Sequence, residues 1–282
     1  MKENSLTGAT VSKSQKGKDQ PANGQSEKSA FGTREWAKTN VNCVSGCSND
    51  CKYCYAKSMA IRFKRKTPET WKNESVIPKK IKHNYRRRDG VIMFPSSHDI
   101  TPGTLEASLV VLKKLLVAGN DVLIVSKPNP EVIKVLCEEL KDYKEQILFR
   151  FTIGSSSSKI LRVWEPGAPS FAERIKSLKF AHQSGFKTSI SLEPCLDLTP
   201  EKVVKKVYPF VTEDIWIGLP NKLQQRLRMN LTGELKDFQV HSSALELTVY
   251  QDEKWVKRLV SKYQDDPKIR WKDSIRKVII NH

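Results

Sequence analysis

From residue 36 onward, short apolar runs alternate with longer amphipathic stretches. Residues 36–43 predict a short first strand, and 90–95 (GVIMFP) a second that is apolar on both faces, as a covered parallel sheet requires. Residues 121–126 (DVLIVS), 147–153 (ILFRFTI), 187–192 (KTSISL) and 214–219 (DIWIGL) continue the series to six strands. Between them lie helical patterns. From Tyr55, Ala56, Met59, Ala60 and Phe63 recur on one face. Thr104 caps a stretch over 104–118 with Leu105, Leu109, Leu112 and Leu116 inward, and Pro130 opens a helix over 130–143. Helices over 170–184 and 200–209 follow, and residues 154–169 read as a long loop. Strands separated by helices of this length imply parallel pairing through right-handed crossovers. Six such units are too few for an eight-fold barrel.

Both ends depart from this pattern. Residues 1–32 are rich in Ser, Lys, Gln, Gly and Asn; they lack the apolar surface to offset ordering entropy and predict a disordered polar tail. Residues 33–222 form the expected core. Residues 223–282 read as a helical extension packed on it, with helices near 224–230 and 250–263.

The 282 residues carry a formal charge of +18, and residues 55–90 hold twelve basic against three acidic groups, half of that excess. Such a patch attracts polyanions, so nucleic acid is one candidate partner; a generally basic soluble protein is the plain alternative. No apolar run reaches membrane-spanning length and the first ten residues lack a signal peptide's apolar core. With cysteines clustered rather than dispersed, this predicts a cytoplasmic protein that uses thiols for metal, not for disulfides.

Four of six cysteines fall in NCVSGCSNDCKYCYA, residues 42–56. Cys47, Cys51 and Cys54 are spaced C-x3-C-x2-C. Three thiolates this close can hold three irons of a four-iron cluster, leaving the fourth iron open. With Cys43 the same run could make a four-thiolate zinc knot, although structural zinc sites usually draw ligands as two separated pairs. Cys43 reads either as a buried thiol at a strand end or as a ligand in another register. Cys137 falls on an apolar helix face as a core thiol.

The cysteine run resembles the signature of the radical S-adenosylmethionine (SAM) enzymes. The resemblance implies a partial (βα)6 TIM-like barrel, an α/β fold, with a [4Fe-4S] cluster on Cys47, Cys51 and Cys54. It implies SAM bound at the open iron, reductive cleavage of SAM to a 5′-deoxyadenosyl radical, and hydrogen abstraction from a substrate. It also implies an electron donor of flavodoxin or ferredoxin type. Tyr53 would lie near the adenine. Ser96, Ser97 and Asp99 stand after the second strand, where family members bind the SAM amino group; the common Gly-Gly-Glu is absent there. Ser155 or Ser156 would reach the ribose or carboxylate, Glu193 the ribose or amine, and Asn221 would sit beside the adenine.

Within the superfamily, GCSNDCKYCYA, the Glu165-Pro166 to Pro169 loop and WKDSI at 271–275 look like the spore photoproduct lyase-related group. That lyase reverses a thymine lesion in DNA and ends its radical chain with a cysteine. Cys195 is the candidate for that hydrogen donor, and a structural thiol is its plain alternative.

Overall fold

The structure, a computed structural model, describes residues 32–232 and 238–280. The expected tail lies outside the described residues except for Gly32, which opens a 3-10 turn at Gly32–Glu35. In chain order the elements are β1 (Thr39–Asn40), β2 (Val44–Ser45), α1 (Tyr55–Arg62), β3 (Ser75–Val76), α2 (Pro78–Lys82), β4 (Ile92–Phe94) and α3 (Leu105–Val117). Then come β5 (Val122–Ser126), α4 (Pro130–Glu139), β6 (Ile147–Thr152), α5 (Ser158–Trp164), α6 (Phe171–Gln183) and β7 (Lys187–Leu192). The chain ends with α7 (Pro200–Val207), β8 (Ile215–Ile217), α8 (Leu223–Asn230), α9 (Phe238–Tyr250), α10 (Glu253–Lys262), β9 (Ile269–Trp271) and α11 (Asp273–Ile280).

One parallel sheet of seven strands organises the fold, in the order β1-β4-β5-β6-β7-β8-β9. Every pairing in it is parallel. Ile92, Phe94, Val122, Ile124, Phe149, Phe151, Ile190, Leu192, Ile215 and Ile217 point to the helix layer and form the main core. Alternate positions face the other side and are more polar. There Arg150 donates to Ser189 (2.8 Å) and Asp214 (2.8 Å), and its guanidinium lies 4.8 Å from the Trp36 ring and 5.5 Å from that of Trp216. A sheet apolar towards its helices and polar within is a partial barrel, as expected.

The seventh strand was not foreseen. β9 is three residues long, IRW, and offers no alternation long enough to read. Next to it, Lys272 is fully buried and closes the open side of the barrel. Its ammonium pairs with Glu35, ahead of β1, at 3.3 Å and with Glu193, after β7, at 3.3 Å. It also donates to the Gly32 carbonyl at 2.9 Å and lies 4.0 Å from the Trp36 ring.

Other expectations need adjustment. The first strand is only Thr39–Asn40, because this edge strand has a single neighbour, β4. In α1 the buried residues are Ala56, Lys57, Ser58 and Ala60, while Met59 and Phe63 are exposed. The helix is covered on two sides: Asn230 of α8 takes the Ser58 hydroxyl at 2.9 Å, and Asp50 draws in the Lys57 ammonium at 2.7 Å. In α3 the fully buried side chains are Ser108, Val111, Leu112, Leu115 and Leu116, so Leu105 and Leu109 sit on the flank of the stripe. The loop expected at 154–169 contains α5, capped by the Ser157 hydroxyl. The C-terminal extension has α9 and α11 beside the two helices expected.

Candidate functional site

The cysteine loop joins β2 to α1 at the carboxyl end of the sheet, where α/β barrels gather reactive groups. Gly46 starts its turn with φ +91°, a left-handed conformation that suits glycine; a Cβ there would stand 2.5 Å from the Asn73 carbonyl oxygen. Gly167 is as tight, since its Cβ would stand 2.1 Å from the Ser48 carbonyl oxygen. Cys54 is the N-cap of α1, its sulfur accepting from the Lys57 N–H at 3.4 Å.

Cys47, Cys51 and Cys54 are free thiols, the first two buried. Burial pushes all three above the usual thiol range; Cys47 is raised further by Asp99, Cys51 and Cys54, and Cys51 by Glu165 and Cys54. The three sulfurs are thus electrostatic neighbours. Among the described residues, no three His, Cys, Asp or Glu groups close on a single-ion site. A zinc knot needs four sulfurs about 2.3 Å from one ion. A four-iron cluster asks less convergence, because each sulfur binds a separate corner of a larger body. Cys43 turns away into the main core, where its sulfur meets the Ser108 hydroxyl at 4.0 Å; burial lifts its pKa to about 11.

A charged pair lies beside the thiols. Asp99, after β4, accepts at Oδ1 from the Ser126 hydroxyl (3.0 Å) and the Lys127 N–H (2.7 Å). Its Oδ2 accepts from Asn49 (2.7 Å) and the Cys47 thiol (3.9 Å), and pairs with the Lys127 ammonium at 3.5 Å. Burial alone would raise the Asp99 pKa, but Lys127 and these donors hold it below the usual carboxylate range. Burial likewise works against a charged Lys127, yet Asp99, Cys51, Tyr53 and Glu165 keep its pKa well above normal. Lys127 directly follows β5, its ammonium 5.8 Å from the Tyr53 ring.

Tyr53 is buried, its hydroxyl donating to Glu165, which also takes the Arg174 guanidinium. Glu165 and Arg174 are both fully buried as a pair. Arg174 completes its bonds on the carbonyls of Pro169 (2.8 Å) and Thr152 (3.1 Å). From the other side α8 holds the loop's main chain. Asn230 donates to the Lys52 carbonyl at 2.8 Å and the Cys54 carbonyl at 2.9 Å, and Arg226 to the Tyr53 carbonyl at 3.4 Å. Burial lowers the Arg226 pKa, against the pull of Cys54, Glu193, Tyr55 and Tyr53, and its guanidinium lies 6.0 Å from the Tyr55 ring.

The other residues singled out from the sequence divide into two groups. Ser96 and Ser97 sit half-buried beside the loop, their N–H groups on Asn42 at 2.7 and 2.9 Å, with the Ser96 carbonyl taking the Tyr55 hydroxyl. Glu193 is half-buried near Arg226 and Lys272; burial raises its pKa and Lys272 opposes this. Ser156 is half-buried and Asn221 exposed. By contrast Ser155 is fully buried, its hydroxyl donating to Asp197 and accepting from the Ser157 N–H at 2.9 Å. Cys195 is fully buried in the main core, its thiol donating to the Asp197 carbonyl at 3.2 Å. Sequence reasoning missed Glu165, Arg174, Arg226, Asn230 and Lys272 as parts of the site. Only Lys127 had a local signal, its place at the end of a strand.

A parallel partial barrel with three neighbouring thiols in the loop after its first strand defines a class, and the comparisons agree with it. The family model for the radical SAM superfamily matches residues 41–205, more than half the chain, and the chain belongs to that superfamily. A viral relative, the uncharacterized protein ORF301 of Acidianus two-tailed virus, is 28% identical over 184 residues, covering 61% of this chain and 59% of that one. The chain thus spans under two thirds of that relative's length. Among solved structures, a spore photoproduct lyase variant with bound S-adenosylmethionine and dinucleoside spore photoproduct aligns with TM-score 0.51 at 14% identity, over 82% of this chain and 75% of that one. SuiB of Streptococcus suis bound to the precursor peptide SuiA aligns with TM-score 0.52 at 12% identity, over 86% of this chain and 50% of that one. At these identities the likeness concerns the fold. No helix among the described residues is long and apolar enough to cross a membrane.

Proposed function

We propose that this chain is a radical SAM enzyme that holds a [4Fe-4S] cluster on Cys47, Cys51 and Cys54 and cleaves SAM reductively to abstract hydrogen from an organic substrate. The observation that carries the reading is the set of three neighbouring thiols on one loop at the carboxyl end of the sheet, with no two of them bridged. Their donor chemistry fits the cluster: soft sulfur ligands, apolar cover from Trp71, Ala56 and Leu227, and the Lys127 ammonium alongside. When bound, the cluster and SAM supply the electron and the 5′-deoxyadenosyl radical.

The protein's own share is positioning and charge. Lys127, steadied by Asp99, offsets negative charge on Cys51 and Cys54. Both oxygens of Asp99 are engaged inside the protein, so its role is to fix Asn49, Cys47 and Lys127 in place. In this proposal Ser96, Ser97 and Ser156 receive polar ends of SAM, and Asn221 borders its adenine. Glu193 and Arg226, of opposite charge, face its methionine end or ribose. Tyr53, pinned by Glu165, keeps solvent from the thiols. Ser155 is engaged with Asp197 and serves the loop's shape. A hydrogen-donor role for Cys195 would require its sulfur to leave the core.

Anaerobic reconstitution with iron and sulfide, then dithionite and SAM, tests the proposal. A brown protein that forms 5′-deoxyadenosine is expected, and Cys51→Ala should lose both the colour and the product. Undiminished product from that variant, or a colourless protein holding one zinc, would overturn it.

A further inference from the structure

The loop after α1 is basic, and Trp71 near its end packs against Cys47. Residues 62–73 carry Arg62, Lys64, Arg65, Lys66 and Lys72 against a single acid, Glu69. All but Lys66 are exposed. Phe63 is 58% exposed, with the Arg62 guanidinium 5.9 Å and the Arg65 guanidinium 5.7 Å from its ring. Next to it is a surface hollow of about 380 Å³, lined by Ile61, Lys64, Arg65, Lys66, Thr67 and Thr70 among others. An exposed aromatic ringed by guanidinium groups is the make-up of a protein contact rather than of an inert solvated face.

What lies beneath the patch narrows its partner. Trp71 closes the loop with its N–H on the Thr67 carbonyl at 3.0 Å, and its side chain is buried against Cys47, Ala56 and Ala60. Its carbonyl accepts from the Cys47 N–H at 3.0 Å. Its indole N–H is buried without a hydrogen-bond partner. Trp71 therefore joins the basic loop to a candidate cluster ligand. On the opposite flank, α8 and α9 pack over Cys51 and Tyr53. The other basic stretch, Arg86 to Arg88, precedes β4 and sits at the amino end of the sheet, where Arg88 bonds Asn120 ahead of β5.

We propose that the face formed by Arg62, Phe63, Lys64 and Arg65 docks an acidic one-electron carrier protein, which delivers its electron to the site past Trp71. This rests on the function proposed above, because that function needs one electron per cleavage from outside. Tunnelling falls steeply with distance, and Trp71 is the buried aromatic that leads from this loop to Cys47. Complementary charge raises encounter rates about 10- to 1,000-fold and makes them sensitive to salt.

The test compares two reductants on reconstituted protein, reduced flavodoxin and dithionite, with cluster bleaching followed by stopped flow. Wild-type reduction by flavodoxin should slow steeply between 20 and 300 mM salt. The variant R62E/R65E should slow it about ten-fold or more at low salt and flatten the salt dependence. Dithionite reduction and dithionite-driven 5′-deoxyadenosine formation should be unchanged. A flavodoxin rate unchanged in the variant overturns the inference, as does equal slowing with both reductants, which would place the residues in the site itself. Loss of DNA or RNA binding with an unchanged flavodoxin rate also overturns it and assigns the patch to nucleic acid. Failure of wild-type protein to form 5′-deoxyadenosine with dithionite is a separate result, and it sinks the proposed function instead.

Discussion

Replacing Glu165 by Gln removes one negative charge while keeping shape. Glu165 and Arg174 are buried together, and the carboxylate also accepts from Tyr53. In the variant the guanidinium keeps the Pro169 and Thr152 carbonyls but loses its counter-charge. Breaking a buried pair from one side typically costs about 3–5 kcal/mol, since an uncompensated charge stays out of water. The amide oxygen still accepts a bond, so the low end, about 3 kcal/mol, is expected. Urea unfolding of the cluster-free chain at pH 7 should then show a lower midpoint at unchanged slope. Thermal unfolding should fall by roughly 2–4 °C per kcal/mol, or about 6–12 °C.

The double variant E165L/R174M separates charge from packing. Removing both partners leaves apolar groups of similar volume, so the part of the loss due to unpaired charge should be recovered, while the Pro169 and Thr152 carbonyls lose their donor. Tyr53 then lacks its acceptor, and the unmet hydroxyl retains a cost of about 1–3 kcal/mol. A loss below about 1 kcal/mol in E165Q, or no recovery in the double variant, would refute the reasoning. Either result would mean that water reaches Arg174 and that Tyr53 is not held by a buried network.

Gly46→Ala puts a Cβ 2.5 Å from the Asn73 carbonyl oxygen and 2.7 Å from that of Trp71, at φ +91°; the loop should refold around it, costing about 1–3 kcal/mol and most of the iron taken up on reconstitution, as iron analysis would show. Asn230→Ala frees the Lys52 and Cys54 carbonyls and the Ser58 hydroxyl; about 1–3 kcal/mol of stability and several-fold faster iron loss to a chelator are expected, with Asn230→Asp no better because a carboxylate cannot donate. His98 is buried with the Cys43 N–H on its Nε2 at 3.3 Å, and burial lowers its pKa. The unfolded chain therefore takes the proton first, near pH 6.5, so the stability tied to His98 is full above that and is lost as pH falls; urea midpoints at pH 7.5 and 5.5 should differ less in His98→Gln than in wild type.

How legible the site was depends on how local each signal is. The cysteine loop could be read directly, because its chemistry is compressed into eight residues. The strands could be read because strands buried on both faces leave continuous apolar runs, as in GVIMFP and DVLIVS. Arg174 could not: it lies on a helix, at a position where an arginine normally faces water, and its partner Glu165 is a loop residue nine positions earlier. Asn230 meets the cysteine loop across more than 170 residues. Met59 and Phe63 were misassigned to the buried face because helical periodicity counts apolar residues and ignores a lysine drawn inward by a carboxylate. Phe63 gains another meaning once it is seen outside, between two arginines.

The C-terminal segment joins these points. The family match ends at residue 205, yet α8 holds the carbonyls of Lys52, Tyr53 and Cys54, and Lys272, after edge strand β9, pairs with Glu35 ahead of the other edge strand β1 and with Glu193 after β7. Six βα units leave a gap that water could enter. A buried lysine between two carboxylates and a tryptophan ring fills that gap with satisfied charge, and β9 carries it there. Gly218 makes room for the arrangement, since a Cβ at that position would stand 2.9 Å from the Lys272 side chain. Glu193 pairs with Lys272 and lies within electrostatic reach of Arg226. Under the proposed function one carboxylate serves both SAM binding and closure of the barrel, and a substitution at Lys272 should then weaken SAM binding, read by titration, and lower the urea midpoint.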